Sequence, residues 1–461
     1  MKIPDVAISR WVLRNRRIMG LVCWGAFCLS SCLGPAALSP QIEGLSNAQQ
    51  YEKALQLLDS QKGGYGKNNK LQFLLDRGLL LHLSKKYQES IVTFAAARQL
   101  ADELYTKSVS KQATTWITNE YAAPYPGEDF ERALVNVFQA LNYALLNKRE
   151  DALVEARDVD SLLAVINDQY AVDQKNVYKE DAFIRLFMGI LYEASGTSLD
   201  TNDAYVSYRK ALEVYDRDYK DNYDVNAPRV LQSNILRVSR EIVLGDFDGY
   251  RDKFRDIPFA SKKERQQQAE VYLIQYNGLA PIKEESQITL PMLDGYLVKV
   301  AFPKYRSRPY ATATSRLVAG ESAGTVLFSD SELVEPIGRI AEKNLERRKL
   351  RFIAKATIRA TSRYMIEKNQ EKSIYKNSGS TSAAWFRFAS SFFNIVIEKA
   401  DVRCWQTLPD QIRLSHILLK PGTYTFTVEN FGADGAQVSS KMLGERSVKA
   451  GDQIFLVVHT P

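Results

Sequence analysis

Cysteine and histidine are the scarcest residues of this 461-residue chain, which has four cysteines and three histidines. Three of the cysteines lie within the first 32 residues, so Cys404 is the only thiol in the remainder. The histidines are widely scattered and give no zinc-ligand spacing: His82, His416 and His459. We therefore expect neither a metal nor a cofactor.

The sequence also lacks a large excess of positive or negative charge. The formal net charge is +7, and residues 1–31 carry five cations against Asp5, so the remaining chain carries only +3. This small excess does not predict a nucleic-acid-binding protein. Hydrophobic residues make up 45% of the sequence, which predicts a globular chain. Removing residues 1–31 from 461 leaves 430, enough for two or three domains.

The N-terminus lacks an apolar run long enough to span a membrane. The run from Leu21 to Ser31 is about half the roughly 20 residues that a span requires, and several arginines precede it. The segment Leu29-Ser30-Ser31-Cys32 matches the lipobox, in which an aliphatic and two small residues precede cysteine. The pattern predicts that residues 1–31 are a lipoprotein signal peptide and that Cys32 becomes the lipidated N-terminus.

Resemblance to bacterial lipoproteins implies the membrane in which the mature chain is anchored. Leu33 follows the cysteine in place of the aspartate that retains such proteins at the inner membrane. The expected location is therefore the outer membrane, facing the periplasm, with Cys404 left as a lone thiol that cannot form an internal disulfide. Residues 32–47 mix proline, glycine and serine without periodicity and predict a flexible linker after the lipidated cysteine.

Residues 48–265 predict a helical domain built from pairs of helices. Over residues 71–105 the apolar spacing indicates two packed helices joined by a tight turn. Gly78 stands where the helices approach, and Phe94 takes an interlocking position, so the unit resembles a tetratricopeptide repeat. Comparable units cover residues 130–166 and 181–217. Three units suffice for a continuous core, and the resemblance implies a concave surface that binds peptides or partner proteins.

Residues 266–461 predict an α+β domain with an antiparallel sheet or sandwich covered by two helices. Alternating apolar residues indicate strands near 271–276, 296–302, 414–419, 423–428 and 454–458. The first helix is expected to begin at the N-cap Ser329-Asp330-Ser331-Glu332. A polar, mobile loop is expected at 372–382 before the second helix. The whole chain is thus predicted to be α+β, with an all-α tetratricopeptide-like part first.

The segment Gly320-Glu321-Ser322-Ala323-Gly324 matches the G-x-S-x-G motif of serine hydrolases. An envelope hydrolase using Ser322 is therefore one alternative, and a triad would be completed by His416 or His459 with Asp401 or Asp410. However, that serine requires a strand-to-helix turn, and residues 325–328 favour a strand. A glycine-rich hairpin loop explains the same letters and is the preferred interpretation.

Cations without interspersed acids occur on one predicted helix: Arg347, Arg348, Lys349, Arg351, Lys355, Arg359 and Arg363. A solvated helix face is the default interpretation of such charge. Binding of lipopolysaccharide or another envelope polyanion is the alternative.

The segment from Asp401 to Pro409 has the pattern Asp-x-Arg-x-Trp-x-x-Leu-Pro, formed by Asp401, Arg403, Trp405, Leu408 and Pro409. In an extended chain the first three share one side. We interpret them as an Asp–Arg pair packed by the indole, in preference to a binding site. Cys404 then faces the other side and is expected to be an inert buried thiol.

With its neighbouring helix and turn, this segment resembles a family of uncharacterised proteobacterial lipoproteins with tetratricopeptide-like helices. Members are often encoded near lipoproteins that resemble activators of penicillin-binding proteins. The resemblance implies a non-enzymatic scaffold that binds a protein partner in cell-envelope assembly or peptidoglycan synthesis. Neither nucleic acid nor a small-molecule substrate is expected.

Overall fold

The computed structural model describes residues 35–111, 123–168, 178–194, 197–292, 296–321, 324–397 and 399–461. The lipid-attachment candidate Cys32 and the hydrolase candidate Ser322 lie outside these ranges. A helical region precedes the strands, which confirms the α+β class. The helices are α1 (Pro35–Asn47), α2 (Tyr51–Ser60), α3 (Lys62–Tyr65), α4 (Lys70–Leu83), α5 (Tyr87–Lys111), α6 (Asp129–Leu145), α7 (Arg149–Asp168), α8 (Ala182–Glu193), α9 (Ser198–Val214), α10 (Lys220–Tyr223), α11 (Arg229–Ile242), α12 (Leu244–Lys253), α13 (Lys262–Gln266) and α14 (Ile337–Ile397).

The residues expected to form a flexible linker are largely helical. Helix α1 buries Leu38 and Ile42, and Leu45 packs against the same cluster as residues of α2. The spacing of these three residues gives the helix one apolar face, which the scattered proline and glycine obscured. The linker prediction was therefore wrong for residues 35–47.

The three predicted helix pairs are α4–α5, α6–α7 and α8–α9, and two of them interlock through a glycine and an aromatic ring. A Cβ atom added to Gly78 would lie 2.5 Å from the ring of Phe94. A Cβ atom added to Gly189 would lie 2.3 Å from the ring of Tyr208. Both glycines therefore permit an approach that any larger residue would prevent.

We expect Gly78→Ala and Gly189→Ala each to destabilise the protein by about 1–3 kcal/mol, because the added methyl must displace a buried ring. The measurement is the free energy of unfolding in urea. Gly249→Ala in α12 is the control, since a Cβ atom there meets nothing within 4 Å. This control should be neutral or up to about 1 kcal/mol more stable. If Gly78→Ala were as harmless as the control, the interlock would be contradicted.

The strands are β1 (Ala269–Asn277), β2 (Ile282–Pro291), β3 (Leu297–Arg306), β4 (Thr314–Glu321), β5 (Val326–Asp330), β6 (Glu332–Glu335), β7 (Gln411–Leu419), β8 (Gly422–Phe431), β9 (Gln437–Val448) and β10 (Gln453–Thr460). They form a β10-β1-β7-β6 sheet, a β2-β3 hairpin and a β5-β4-β8-β9 sheet. Strand β1 runs parallel to β10, so the expected antiparallel sheet contains one parallel pair of strands. Every residue of β1 is buried, as a central strand between helices and a second sheet requires.

The helix expected to start near Ser331 begins six residues later, at Ile337. Ser331 instead joins the sheets, because its amide donates to Ser315 O at 2.7 Å and its hydroxyl accepts from Ser315 N at 3.1 Å. The Arg413 guanidinium donates to the same hydroxyl at 3.0 Å. Ser315 and Arg413, which are distant in sequence, therefore occupy the hydroxyl of Ser331, and this hydroxyl is the group that would cap a helix.

Helix α14 includes the predicted loop at 372–382, yet the chain reverses direction there. A straight helix would separate Glu371 from Arg387 by about 24 Å. In the structure Arg387 Nη2 donates to Glu371 Oε1 at 2.6 Å, and Ala400 lines the same small pocket as Phe352. The helical segment therefore folds back on itself between 371 and 387. No helix within the described ranges is long and apolar enough to cross a membrane.

The helical region and the strands share one apolar core across the predicted boundary at residue 265. A single cluster contains Phe138 of α6, Phe187 of α8, Tyr276 of β1 and Trp405. The first helix of each pair contributes residues to this cluster: α4, α6 and α8. Almost all residues of α6 and α8 are buried, so these helices are enclosed on both sides.

Candidate functional site

The segment 400–410 lies across α4 and α6 and is held by its backbone. Glu131 Oε1 accepts the amide of Trp405 at 2.7 Å, and Asp76 Oδ1 accepts the amides of Gln406 and Thr407 at 3.0 and 3.1 Å. Gln72 Nε2 donates to the carbonyl of Cys404 at 3.0 Å. Helices α4 and α6 thus hold a segment of the same chain that forms no strand and turns at residues 406–407.

Trp405 is the anchor of this docked segment. Its side chain is 1% exposed, and its ring centroid lies 5.6 Å from that of Phe94 and 5.7 Å from that of Phe138, both edge-on. The indole Nε1 donates to Thr407 Oγ1 at 3.1 Å, so the buried donor is satisfied. An aromatic anchor with a polar tip is a common way to fix a peptide in a groove.

The predicted pair of Asp401 and Arg403 is present. Arg403 Nε and Nη2 donate to the two carboxylate oxygens of Asp401 at 2.8 and 2.6 Å. Arg403 Nη1 also donates to Ala123 O at 2.8 Å, and the ring of Tyr125 lies 5.3 Å from the guanidinium. The ring over the pair is therefore Tyr125, whereas the indole packs on the two phenylalanines. The remaining motif residues, Leu408 and Pro409, are buried.

Three acidic residues beneath the segment have strongly altered proton affinities. Burial raises the pKa of Asp76 to about 7, and burial together with the charge of Glu128 raises the pKa of Glu131 to about 7. Burial opposes ionisation of Glu128 as well, but Arg348 and Lys283 hold its pKa down to about 2. Both cations contact this carboxylate, so Glu128 links the start of α6 to Lys283 of β2 and to Arg348 of α14.

Cys404 is buried beside these groups, and burial raises the pKa of its thiol to about 12. Because the thiolate is the nucleophilic form, the raised pKa disfavours reaction of this cysteine. Its burial agrees with the sequence interpretation. The carboxyl groups of Asp76 and Glu131 already accept backbone amides. The acidic side chains of Asp76 and Glu131 therefore serve to hold the segment 400–410.

The sequence analysis did not single out Asp76, Glu128 or Glu131, and it named His82 only as a scattered histidine without zinc-ligand spacing. His82 lies fully buried between Asn142 Oδ1 at 2.6 Å and Tyr276 OH at 2.8 Å, which joins α4, α6 and β1. Burial lowers its pKa to about 4, so it is neutral in this network. A usable signal was present, because Asp76 and His82 interrupt a run of leucines in α4 and a polar residue there needs a partner.

The cations proposed to bind anions do not form one exposed face. Arg348 contacts Glu128, Arg359 is 6% exposed, and Lys355 and Arg363 are half-buried. Arg347 and Lys349 are exposed, and the side chain of Arg351 lies outside the description. Of the predicted basic face, some cations are therefore paired or buried, and others are exposed to solvent.

The G-x-S-x-G segment connects two strands. β4 pairs antiparallel with β5, with Gly320 opposite Val326, so the predicted hairpin is confirmed for the described residues. A strand follows the motif where a nucleophile elbow requires a helix. The proposed triad partners are engaged elsewhere: Asp401 by Arg403, Asp410 by Tyr310 at 2.7 Å, and His459 by Tyr51 at 2.7 Å, while His416 lies 3.5 Å from Glu270. Within the described ranges, no cluster of His, Cys, Asp and Glu is arranged to hold a metal ion.

Comparison with known proteins gives little further information. No protein-family model matches the sequence, and no curated protein is significantly similar to it. Among solved structures, the chain has a likeness to the crystal structure of BtubC (BKLC) from P. vanneervenii. The identity is 14%, the TM-score is 0.31, and the match covers 55% of this chain and 91% of that chain. A TM-score of this size carries no argument about fold or function.

Proposed function

We propose that this chain is a bacterial lipoprotein, anchored in the outer membrane through a lipidated Cys32 and facing the periplasm. In this proposal it is a non-enzymatic scaffold whose tetratricopeptide-like helices bind a protein partner in cell-envelope assembly or peptidoglycan synthesis. The lipobox supports the anchor, and the glycine–aromatic interlocks support the repeat assignment. The family resemblance supports the envelope process.

The docked segment 400–410 is the observation that carries the scaffold proposal. Helices α4 and α6 already hold a segment of the same chain through buried carboxylates, a glutamine amide and one aromatic anchor. Stacked helical repeats commonly bind partners along their surfaces. The chain itself occupies that face, so a separate partner would meet the second helix of each pair. These helices carry exposed apolar side chains: Val92, Val154, Val165 and Leu199.

The anchor is tested by metabolic labelling with radioactive palmitate followed by separation of the two membranes. Wild type should incorporate label and sediment with the outer membrane, because several acyl chains give stable attachment. Cys32→Ala should carry no label and leave the outer-membrane fraction. Incorporation of label into Cys32→Ala, or equal sedimentation of both proteins, would contradict the anchor.

The binding surface is tested by photo-crosslinking in cells. A photoreactive amino acid replaces Val154 or Val165 on α7, and the control positions are Leu327 and Met442, which are exposed on strands. The proposal expects one protein adduct from the α7 positions that is absent from the strand positions. The same adduct from every position, or none from α7, would contradict it.

Neither the hydrolase nor the polyanion alternative gains support from the described residues.

A further inference from the structure

Strand β5 forms one edge of the β5-β4-β8-β9 sheet, and among the described strands it pairs only with β4. Its sequence is Val326-Leu327-Phe328-Ser329-Asp330, and the side chains of its three apolar residues are exposed. Proteins normally protect such an edge, because its unpaired backbone groups are a template for another strand. The exposed apolar edge of β5 is therefore a candidate interaction surface.

The other edges of the two four-stranded sheets are protected in ways that β5 is not. Strand β9, at the opposite edge of the same sheet, has two register shifts and carries Lys441. Strand β6 has only four residues and a register shift against β7. Strand β10 is covered by α8, since Phe455 packs against Phe187 and Gln453 donates to Ile190 O at 3.0 Å. Bulges, lysines and coverage hinder pairing with another chain, whereas β5 has neither a register shift nor a lysine.

The direction of the backbone groups of β5 is fixed by its pairing with β4. Ser331 N donates to Ser315 O at 2.7 Å, and Thr325 O accepts from Glu321 N at 2.8 Å. Backbone groups alternate in direction along an antiparallel strand. The odd-numbered residues of 325–331 therefore face β4, and the even-numbered residues direct their N–H and C=O groups to the free edge. This edge offers the donors and acceptors of a further antiparallel ladder.

We propose that two copies of this chain pair through β5, antiparallel and with Phe328 on the two-fold axis. In this register residues 326–330 of both copies lie opposite each other, and the even-numbered residues exchange backbone hydrogen bonds across the axis. The two sheets join into one continuous sheet, and the same patch serves on both copies. This pairing depends neither on lipidation of Cys32 nor on a partner at α7, so its failure would leave the proposed function unaffected.

The side chains of two β5 strands are compatible in this register, which favours a second copy as the occupant of the edge. Phe328 lies opposite Phe328 of the second copy, and an aromatic pair at such a position is favourable. Val326 lies opposite Asp330, whose carboxylate is already paired with Arg316 at 2.7 Å. Leu327 lies opposite Ser329. No like charges therefore face each other across the axis.

The register is tested by disulfide trapping of the purified whole protein with copper phenanthroline. Phe328→Cys should give a reducible dimer, because opposite residues of a hydrogen-bonded pair have Cα atoms about 5.5 Å apart, within the disulfide range. Val326→Cys should not link to itself, since its two Cα atoms lie about 14 Å apart in this register. A mixture of Val326→Cys and Asp330→Cys should form a dimer that neither protein forms alone.

Met442→Cys is the control for random collisions, because Met442 is exposed on β9 at the other edge of the same sheet. Wild type gives the background from the native cysteines, of which Cys404 is buried. Equal yields of dimer from Phe328→Cys, Val326→Cys and Met442→Cys would overturn the proposal. So would the absence of a dimer from Phe328→Cys.

Analytical ultracentrifugation tests the pairing without a crosslink. Phe328→Lys should raise the dissociation constant of the dimer at least about tenfold, because two lysines would face each other at the axis. Met442→Lys should leave that constant unchanged. Both side chains are exposed, so both variants should keep the wild-type free energy of unfolding to within about 0.5 kcal/mol, measured in urea at a concentration where wild type is monomeric. Equal sedimentation of wild type and the two folded variants would overturn the proposal.

Discussion

Replacement of Trp405 by alanine is expected to destabilise the protein by about 3–5 kcal/mol, the range for truncating a large buried aromatic side chain. The side chain contacts both α4–α5 and α6 through Phe94 and Phe138, so its loss leaves a void where two helix pairs meet the docked segment. The measurement is urea unfolding combined with hydrogen exchange. Exchange should accelerate in α4 and α6 before it does in β8.

Two further substitutions calibrate this prediction. Trp405→Phe keeps a ring in the groove and loses the hydrogen bond to Thr407, so it should fall between wild type and Trp405→Ala. Phe328→Ala removes an aromatic ring that is 58% exposed and should cost far less. A loss below about 1 kcal/mol for Trp405→Ala would show that the indole is not the anchor of the segment.

The second large effect is expected for Glu128→Gln, at about 3–5 kcal/mol, because it leaves Lys283 as a buried cation without its partner. The side chain of Lys283 is 4% exposed and contacts the Glu128 carboxylate. The pKa of Glu128 is lowered to about 2 from its usual 4.5. Its stabilisation is thus complete above pH 4.5 and is lost as the pH falls through 2. The stability difference between wild type and Glu128→Gln should shrink in the same direction.

The double variant Glu128→Gln with Lys283→Met distinguishes a buried charge from a lost contact. Removing both partners should recover part of the stability, since no charge then stays buried without compensation. Glu346→Gln is the exposed control, because Glu346 pairs with Lys343 at 3.3 Å on the surface of α14. It should change the free energy of unfolding by less than about 1 kcal/mol. A difference between wild type and Glu128→Gln that stays constant down to pH 2 would contradict the ionic role.

Local patterns predicted much of the secondary structure. The leucine spacing of α4 and the alternation of Tyr424, Phe426 and Val428 in β8 reflect the face that each element buries, so they are readable without a partner. Strand β9 was missed because most of its residues are exposed and carry no alternation. The start of α14 was misplaced because Ser331 bonds to Ser315 and Arg413, which lie far away in the chain.

The candidate site was readable only in part for the same reason. The pair of Asp401 and Arg403 is two residues apart, and local geometry sufficed to predict it. The partners of the backbone at 404–407 are Gln72, Asp76 and Glu131, which precede it by more than 270 residues. No spacing rule connects such positions, so the peptide-in-groove arrangement emerged only from the folded chain.

The docked segment has a consequence for the order in which the protein matures. Gln406 meets Asp76 across 330 residues, and the last strand, β10, pairs with β1. During synthesis, which proceeds from the N-terminus, α4 and α6 present an uncovered apolar face until residues 400–410 have been made. Contacts so distant in sequence form slowly, and partly folded chains with exposed apolar faces aggregate. The helical half therefore reaches its final state only after the C-terminal half arrives, and truncations that end before residue 400 leave it incomplete.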